Sequence, residues 1–281
     1  MDASRIVKGR AYLWFISLVA TIGGLMFGFD VGIISGAIPF IQPYFGWTEL
    51  QLGWGVSSIL VGAIIGAFGT GTLTEKYGRK SLLISVALFF AVSCAGMALA
   101  KTQVSFISFR VLGGLAVGAV SVLSPMYVAE VAPPKIRGTL ITIYQLAITL
   151  GILVSYLVNF ALHEVENNWR WMFATGLLPS IIFFVGLIFI PESPRWLVKA
   201  GFKDKARLVL ERIGGTAFAA SEISDIENSL KDSGRGSALK VLFAPRYRKV
   251  IILGLLLAVF VQISGINTVV DYAPKILMAA G

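Results

Sequence analysis

Asp30 is the residue of this sequence whose position most strongly indicates chemistry. It lies in an apolar segment, residues 11–41, that contains no other charged residue. A carboxylate in hydrocarbon costs roughly 2.5–3.5 kcal/mol on insertion scales, so a membrane protein that keeps one has a reason for it. The usual reasons are a water-filled pathway, a paired cation, or a proton that binds and leaves. Asp30 therefore raises the question of what this chain moves across a membrane.

Arg110 is the cation best placed to neutralise Asp30. At about 1.5 Å per helical residue, Asp30 lies about 28 Å from the start of the first apolar segment, and Arg110 about 10 Å from the start of the fourth, which runs the opposite way. Both then fall in the same half of the membrane. We predict a buried ion pair from which Asp30 could exchange a proton. The alternatives are an arginine that extends to the interface and a fixed structural pair.

The composition is that of a protein that crosses the membrane several times. Hydrophobic residues make up 56% of the 281 residues and charged residues 14%, against about 25% charged in soluble domains. A helical span needs about 20 predominantly apolar residues. We therefore predict an all-α polytopic membrane protein. The predicted spans are residues 11–41, 50–73, 82–100, 103–132, 139–162, 170–190 and 249–273.

The distribution of lysine and arginine predicts the orientation. The N-terminus and alternate loops carry almost all of them, including a dozen from Arg195 to Lys249, whereas the opposite loops carry little beyond Lys101 and Arg170. Because basic loops stay in the cytoplasm, we predict a cytoplasmic N-terminus and a location in the cell (plasma or inner) membrane. The same distribution argues against nucleic acid, the partner that the net charge of +9 would otherwise suggest.

A charged connection at residues 191–248 divides the chain into three predicted domains. A six-helix bundle at residues 1–190 precedes it, and the start of a second bundle at residues 249–281 follows it. Residues Lys203–Ile213 and Ala219–Lys231 of the connection are predicted to form short amphipathic helices. They are either patches in a solvated linker or helices that brace the bundles, and the sequence favours neither.

A short internal repeat supports an inverted-repeat architecture. The pattern GGLxxG at residues 23–28 in the first span recurs at residues 113–118 in the fourth. These two spans run in opposite directions, as they do in transporters built from inverted repeats. With 30 glycines in the chain, coincidence is the alternative.

Three segments on the predicted cytoplasmic side combine acidic and basic residues. They are GTLTEKYGRK at residues 71–80, Glu130 with Arg137, and PESPR at residues 191–195. Taken alone, each is a charged turn that holds the topology, and Gly78 permits a positive φ. Because helix ends meet on this side, we predict a network of charged side chains. The candidate members are Gly71, Glu75, Gly78, Arg79, Glu130, Arg137, Glu192 and Arg195.

These segments resemble motifs of the sugar porter family of the major facilitator superfamily. Residues 71–80 are similar to the superfamily's signature loop, G-x-x-x-[D/E]-[K/R]-x-G-R-[K/R]. The other matches, in the family's order, are residues 112–118 with Tyr127, Glu130 and Arg137, then residues 191–195, then QISGIN at residues 262–267 with Tyr272 and Pro274. The resemblance covers the whole chain. It implies a six-helix bundle of two inverted three-helix repeats, a cytoplasmic helical loop and a seventh transmembrane helix.

The resemblance also implies roles for the polar residues of the spans. Asp30 matches the proton-coupling aspartate of sugar–proton symporters, and Arg110 matches its partner. Gln145, Gln262 and Asn267 match amides that bind sugar hydroxyls, a task that suits amides because they both donate and accept hydrogen bonds. The alternative is that such amides only join helices. The cytoplasmic motifs would hold the outward-facing state closed on their side.

The sequence departs from the family in three respects. Val261 stands where the family commonly has the first of two glutamines, which removes an amide ligand. Asp271 stands where it commonly has a tyrosine, and this carboxylate could contact substrate, accept a proton or lie in the outer vestibule. The family has twelve spans, so we interpret this chain as the N-terminal portion of a transporter or a truncated product.

The predicted function is transport of a monosaccharide by sugar:proton symport with alternating access. The alternatives are a proton-independent facilitator of a sugar or polyol, and a non-transporting, truncated or sensor-like membrane protein. No nucleophile–base pair or metal-ligand cluster is visible in the sequence, so we expect no enzyme activity, no metal and no cofactor beyond protons as coupling ion. The expected partners are a small sugar and the lipid bilayer.

Overall fold

A computed structural model describes residues 3–233 and 245–280, and every regular element in that part of the chain is a helix. The predicted all-α class is therefore confirmed. The helices in this part are α1 (Ala3–Phe45), α2 (Glu49–Tyr77), α3 (Arg79–Leu99), α4 (Gln103–Val131), α5 (Pro134–Leu162), α6 (Asn168–Thr175), α7 (Leu177–Phe189), α8 (Pro194–Lys199), α9 (Lys203–Gly214), α10 (Thr216–Ser233), α11 (Pro245–Ile263) and α12 (Ile266–Ala280).

Each of the seven predicted spans corresponds to a helical stretch that is long and apolar enough to cross a membrane. The spans in the structure are Ala11–Phe45, Glu49–Tyr77, Arg79–Leu99, Gln103–Val131, Pro134–Leu162, Asn168–Phe189 and Arg248–Tyr272. Successive spans run in opposite directions, so their connections lie alternately at the two ends of the bundle. The polytopic architecture is therefore also confirmed.

Two spans are interrupted where the sequence predicted continuous helix. The sixth span divides into α6 and α7 at Gly176. Pro179 is the local signal for this break, since a proline inside a helix clashes with the carbonyl group four residues earlier, here that of Thr175. The seventh span divides into α11 and α12 at Ser264 and Gly265, where Gly265 adopts a φ of 71° that favours glycine.

Two apolar clusters hold the bundle together, one at each end. The first includes Met26 and Leu187, and the second includes Phe29 and Phe106. Met26 and Phe29 are less than one helical turn apart on α1, so the two clusters meet at this level of the helix. Asp30 follows directly, and a charge is therefore buried where the two cores adjoin.

The repeated glycine motif has the same packing role in both halves of the bundle. α1 packs along α5, and α4 packs along α2. A Cβ at Gly28 would lie 1.9 Å from the carbonyl oxygen of Ile148 on α5, and a Cβ at Gly118 would lie 2.0 Å from that of Ala63 on α2. Glycine is required at both positions because the backbones touch there. This equivalence supports the inverted repeat over coincidence.

The three short helices that directly follow the sixth span, α8, α9 and α10, pack on the end of the bundle that carries residues 78–80, which we call the motif face. α9 and α10 occupy the two segments predicted to be amphipathic helices. Leu197, Val198 and Ala206 form a small core with α10. α9 also contacts α1, where a Cβ at Gly9 would lie 2.6 Å from the backbone of α9. These contacts favour helices that brace the bundle over a solvated linker.

Candidate functional site

Asp30 and Arg110 form a buried ion pair between α1 and α4. Nη1 of Arg110 donates to both carboxylate oxygens of Asp30, at 3.0 Å to Oδ1 and 2.9 Å to Oδ2. Asp30 is 1% exposed and Arg110 is 2% exposed. Opposite charges in an apolar interior stabilise each other only while they remain together. Any rearrangement that separates them must therefore bring in a proton, water or another charge.

Asp30 does not satisfy the whole guanidinium of Arg110. The Nε of Arg110 is buried and has no hydrogen-bond partner among the residues that the structure describes. Asp271 on α12 is half-buried and interacts electrostatically with both members of the pair. α12 packs against α1, and the Tyr156 hydroxyl on α5 donates to the carbonyl oxygen of Val270 at 3.0 Å. The structure thus brings the additional carboxylate of the seventh span towards the pair.

The three amides predicted to bind sugar lie in two places. Gln145 is exposed on α5, and Gln262 and Asn267 are exposed on either side of the break in the seventh span. Nδ2 of Asn267 donates to Oε1 of Gln262 at 2.7 Å. This hydrogen bond joins α11 to α12, and joining helices is the alternative role of such amides. This bond leaves the nitrogen of Gln262 and the oxygen of Asn267 for a hydroxyl-rich ligand.

Glu192 binds the first turn of α3. Its Oε1 accepts hydrogen bonds from the backbone N–H groups of Arg79 at 2.9 Å, Lys80 at 3.0 Å and Ser193 at 2.8 Å. Gly78 has a φ of 88°, and a Cβ there would lie 2.3 Å from Oε2 of Glu192. The first N–H groups of a helix have no partner inside it and carry partial positive charge, so a carboxylate stabilises them. Glu192 thereby ties α3 to the end of the sixth span.

Arg79 and Glu130 form a second link at the motif face, between α3 and α4. Nε of Arg79 donates to Oε2 of Glu130 at 2.9 Å, and Nη2 donates to Oε1 at 2.8 Å. This two-point geometry is the strong form of an arginine–carboxylate contact. The Ser193 hydroxyl also donates to Glu130 and accepts from the N–H of Trp196. Sequence reasoning missed Ser193, although serine before Pro194 at a helix start is a recognisable capping signal.

The remaining motif residues are not part of this linked set. Glu75, Arg137 and Arg195 line a cavity of about 590 Å³ beside it. Glu75 pairs with Lys199 at 3.1 Å, Arg137 donates to a backbone carbonyl oxygen at 3.3 Å, and Arg195 donates to a serine hydroxyl of α10 at 3.2 Å. A side chain at Gly71 would meet open space. The predicted network is therefore divided between a tight cluster and a looser cavity rim.

Replacing Glu192 by alanine is expected to destabilise the protein by about 2 kcal/mol, because the first turn of α3 loses the acceptor of its backbone N–H groups. Thermal unfolding of the purified protein measures this change. Glu222 lies on the same face and lines the cavity, so Glu222→Ala is the matched control and should unfold like the unmodified protein. Equal unfolding temperatures for the two variants would contradict the capping role of Glu192.

The sequence of the chain matches a known family along nearly all of its length. The model of the family described as "Sugar (and other) transporter" matches residues 16–281. The chain belongs to the sugar transporter family. Among its relatives in this family, the chain is 42% identical to the arabinose-proton symporter of Bacillus subtilis (strain 168) over 277 residues, which cover 96% of this chain and 60% of the relative. It is also 42% identical to the galactose-proton symporter of Escherichia coli (strain K12) over 276 residues, which cover 98% of this chain and 59% of the relative.

The fold agrees with a solved sugar transporter of the major facilitator superfamily. The xylose transporter XylE from E. coli, in a partially occluded inward-open conformation, matches this chain with a TM-score of 0.85 at 34% identity. The match covers 94% of this chain and 66% of that structure. The protein is thus a multi-pass membrane protein of the sugar transporter family. The chain spans about 60% of the length of the curated relatives it matches.

Proposed function

We propose that the protein transports a monosaccharide across the cell membrane by sugar:proton symport with alternating access. The buried pair of Asp30 and Arg110 carries this proposal, and the matched relatives named as arabinose-proton and galactose-proton symporters support it. A carboxylate that can exchange its arginine for a proton has two charge states. Each state suits a different packing of α1 against α4, which is what a transporter needs to alternate between two conformations.

The other candidate residues divide into a sugar site and a conformational latch. Gln145, Gln262 and Asn267 bind the hydroxyls of the sugar through neutral hydrogen bonds. The links centred on Arg79 and Glu130 hold the helix ends of the motif face together and open when that side releases sugar. The motif face and the N-terminus are cytoplasmic in this proposal, consistent with the positive charge of these loops. Residues 1–190 act as one bundle, and residues 191–248 connect it to the helices that follow.

A proton-independent facilitator is the second candidate. The observation that favours it is the near-complete burial of Asp30 and Arg110, since a pair that never separates would serve only as a structural contact. In that case sugar would move down its gradient at a rate that does not depend on protons. The two candidates therefore differ in whether an imposed proton gradient drives accumulation.

Uptake into vesicles tests the proposal. Vesicles that contain the product of the complete reading frame around this sequence are given labelled arabinose, galactose or xylose and an inward proton gradient. We expect saturable accumulation of at least one sugar, and its collapse when an uncoupler is added. Uptake that is unaffected by the uncoupler would favour the facilitator, and absence of saturable uptake for every sugar would contradict transport. Vesicles with residues 1–281 alone show whether this chain is sufficient for transport. Asp225→Asn, at an exposed position on α10, is the control for charge-removing substitutions in the buried pair.

A further inference from the structure

Asp271 is a charged residue of the membrane spans that the symport scheme does not use. It lies on α12, one helical turn after Asn267, in the last residues of the seventh span. Its side chain is half-buried, and among the side chains that the structure describes no hydrogen bond or ion pair engages it. A carboxylate within a span is costly, so its position calls for a physical explanation.

The packing of α12 holds Asp271 in a defined place. The Tyr156 hydroxyl on α5 donates to the carbonyl oxygen of Val270, the residue before Asp271, at 3.0 Å. The same hydroxyl lies beside Ser35 on α1 and interacts electrostatically with Asp271. Tyr272, the next residue, packs against the apolar cluster that contains Phe29 and Phe106. α12 is therefore anchored to the first six spans on both sides of Asp271.

The charges around Asp271 do not balance. Among the side chains that the structure describes, the ionic groups that interact with it are Arg110 on α4 and Asp30 on α1, and Tyr156 on α5 is a titratable side chain beside it. Among these described groups, two carboxylates and one guanidinium leave one net negative charge. Asp30 and Arg110 are almost entirely shielded from solvent there. Such a site is most stable when it binds one cation, and the proton is the cation that needs no coordination shell.

We propose that Asp271 is a second proton-accepting residue of this site, and that Asp30 and Asp271 share Arg110 and one proton. This inference rests on the proposed symport function and extends it. When the proton is on Asp271, Arg110 pairs with Asp30, as in the structure. When the proton moves to Asp30, the guanidinium, whose Nε has no partner among the described residues, turns to Asp271.

The sharing of Arg110 gives the proton a mechanical effect. Asp30 and Arg110 both belong to the first six spans, whereas Asp271 belongs to the seventh. The position of one proton therefore decides whether Arg110 is held within the first bundle or bonded to α12. Protonation thereby acts on the contact between the two parts that move relative to each other during alternating access.

Infrared titration tests the inference without the need for transport. The product of the complete reading frame is purified in lipid nanodiscs, and the C=O stretch of protonated carboxyl groups is followed as pH is raised. In Asp271→Asn, we expect the midpoint for the remaining carboxyl to move to lower pH by about one unit, because a neighbouring negative charge no longer opposes its ionisation. Asp271→Glu should restore the midpoint, and Asp225→Asn is the matched control. Asp271→Tyr introduces the residue that the family commonly has. It replaces the asparagine variant in this titration if that variant does not fold.

The outcomes separate this inference from the proposed function. Superimposable titrations of Asp271→Asn, Asp225→Asn and the unmodified protein would overturn the inference even if symport is intact. A midpoint that depends on sodium rather than pH would assign the site to a metal ion and overturn it as well. A weaker sugar affinity without any shift of the midpoint would make Asp271 a substrate ligand only. Failure of sugar uptake in all variants would contradict the proposed function, whereas the infrared shift does not depend on uptake.

Discussion

Asp30→Asn is expected to abolish proton-driven sugar accumulation while leaving downhill sugar exchange measurable. The amide occupies nearly the same space but cannot bind and release a proton, so the coupling step is lost and the sugar site is retained. The substitution also leaves the buried charge of Arg110 without its principal partner, which we expect to destabilise the protein by about 3 kcal/mol. Vesicle uptake with and without a proton gradient measures the first effect, and chemical denaturation measures the second.

A double substitution separates the effect of leaving the Arg110 charge unpaired from the effect of losing the Asp30 carboxylate. In Asp30→Asn with Arg110→Gln, both buried charges are absent, so stability should recover by about 1–2 kcal/mol relative to Asp30→Asn alone. Accumulation should remain absent. The control is Arg207→Gln, which breaks an ion pair with Glu211 in which the arginine is 63% exposed, and its effect should be within about 0.5 kcal/mol. Undiminished accumulation by Asp30→Asn would refute the role of Asp30 in coupling.

Gly28→Ala and Gly118→Ala are expected to destabilise the protein by about 3 kcal/mol or more, and by similar amounts. In each variant the new methyl group would lie within about 2 Å of a carbonyl oxygen on the facing helix, so two backbones must move apart. The yield of folded protein in membranes and its thermal unfolding measure the effect. Similar costs are expected because the two glycines occupy equivalent places in the repeated motif.

Gly53→Ala is the matched control for these glycine variants. Gly53 lies within α2, and no atom is close to the position of a Cβ there. Alanine at this site should be neutral or stabilise the helix by about 0.5–1 kcal/mol, because glycine has the poorer helix propensity. If Gly28→Ala and Gly53→Ala behave alike, the close approach of α1 and α5 is not required for stability.

Much of the architecture was predictable because a membrane restricts what a sequence can do. Apolar segments of about 20 residues have to be helices when water is not available to the backbone, so the spans followed from composition alone. The breaks in the sixth and seventh spans were missed. Pro179 and Gly265 are the local signals for them, but many membrane helices keep such residues without breaking, and the neighbouring helices decide the outcome.

The candidate site was predictable where the position of a residue in the sequence already implies a free-energy cost. Asp30 stood out because an isolated charge in hydrocarbon needs a partner, and equal depth pointed to Arg110. The partners of Glu130 and Glu192 did not follow in the same way. The motif face offers several cations to each carboxylate, and only the packed helices show that Glu192 binds backbone N–H groups while Glu130 binds Arg79.

By itself, therefore, the sequence determined the helical class, the spans, the membrane setting and the residues whose charge requires an explanation. The tertiary structure decided which of those charges meet. It showed that Asp271 approaches the pair of Asp30 and Arg110. From the sequence, Asp271 could equally have contacted substrate, accepted a proton or lain in the outer vestibule. The physical reason is that insertion in a membrane depends on the composition of each segment, whereas contact between charges depends on how segments distant in sequence pack.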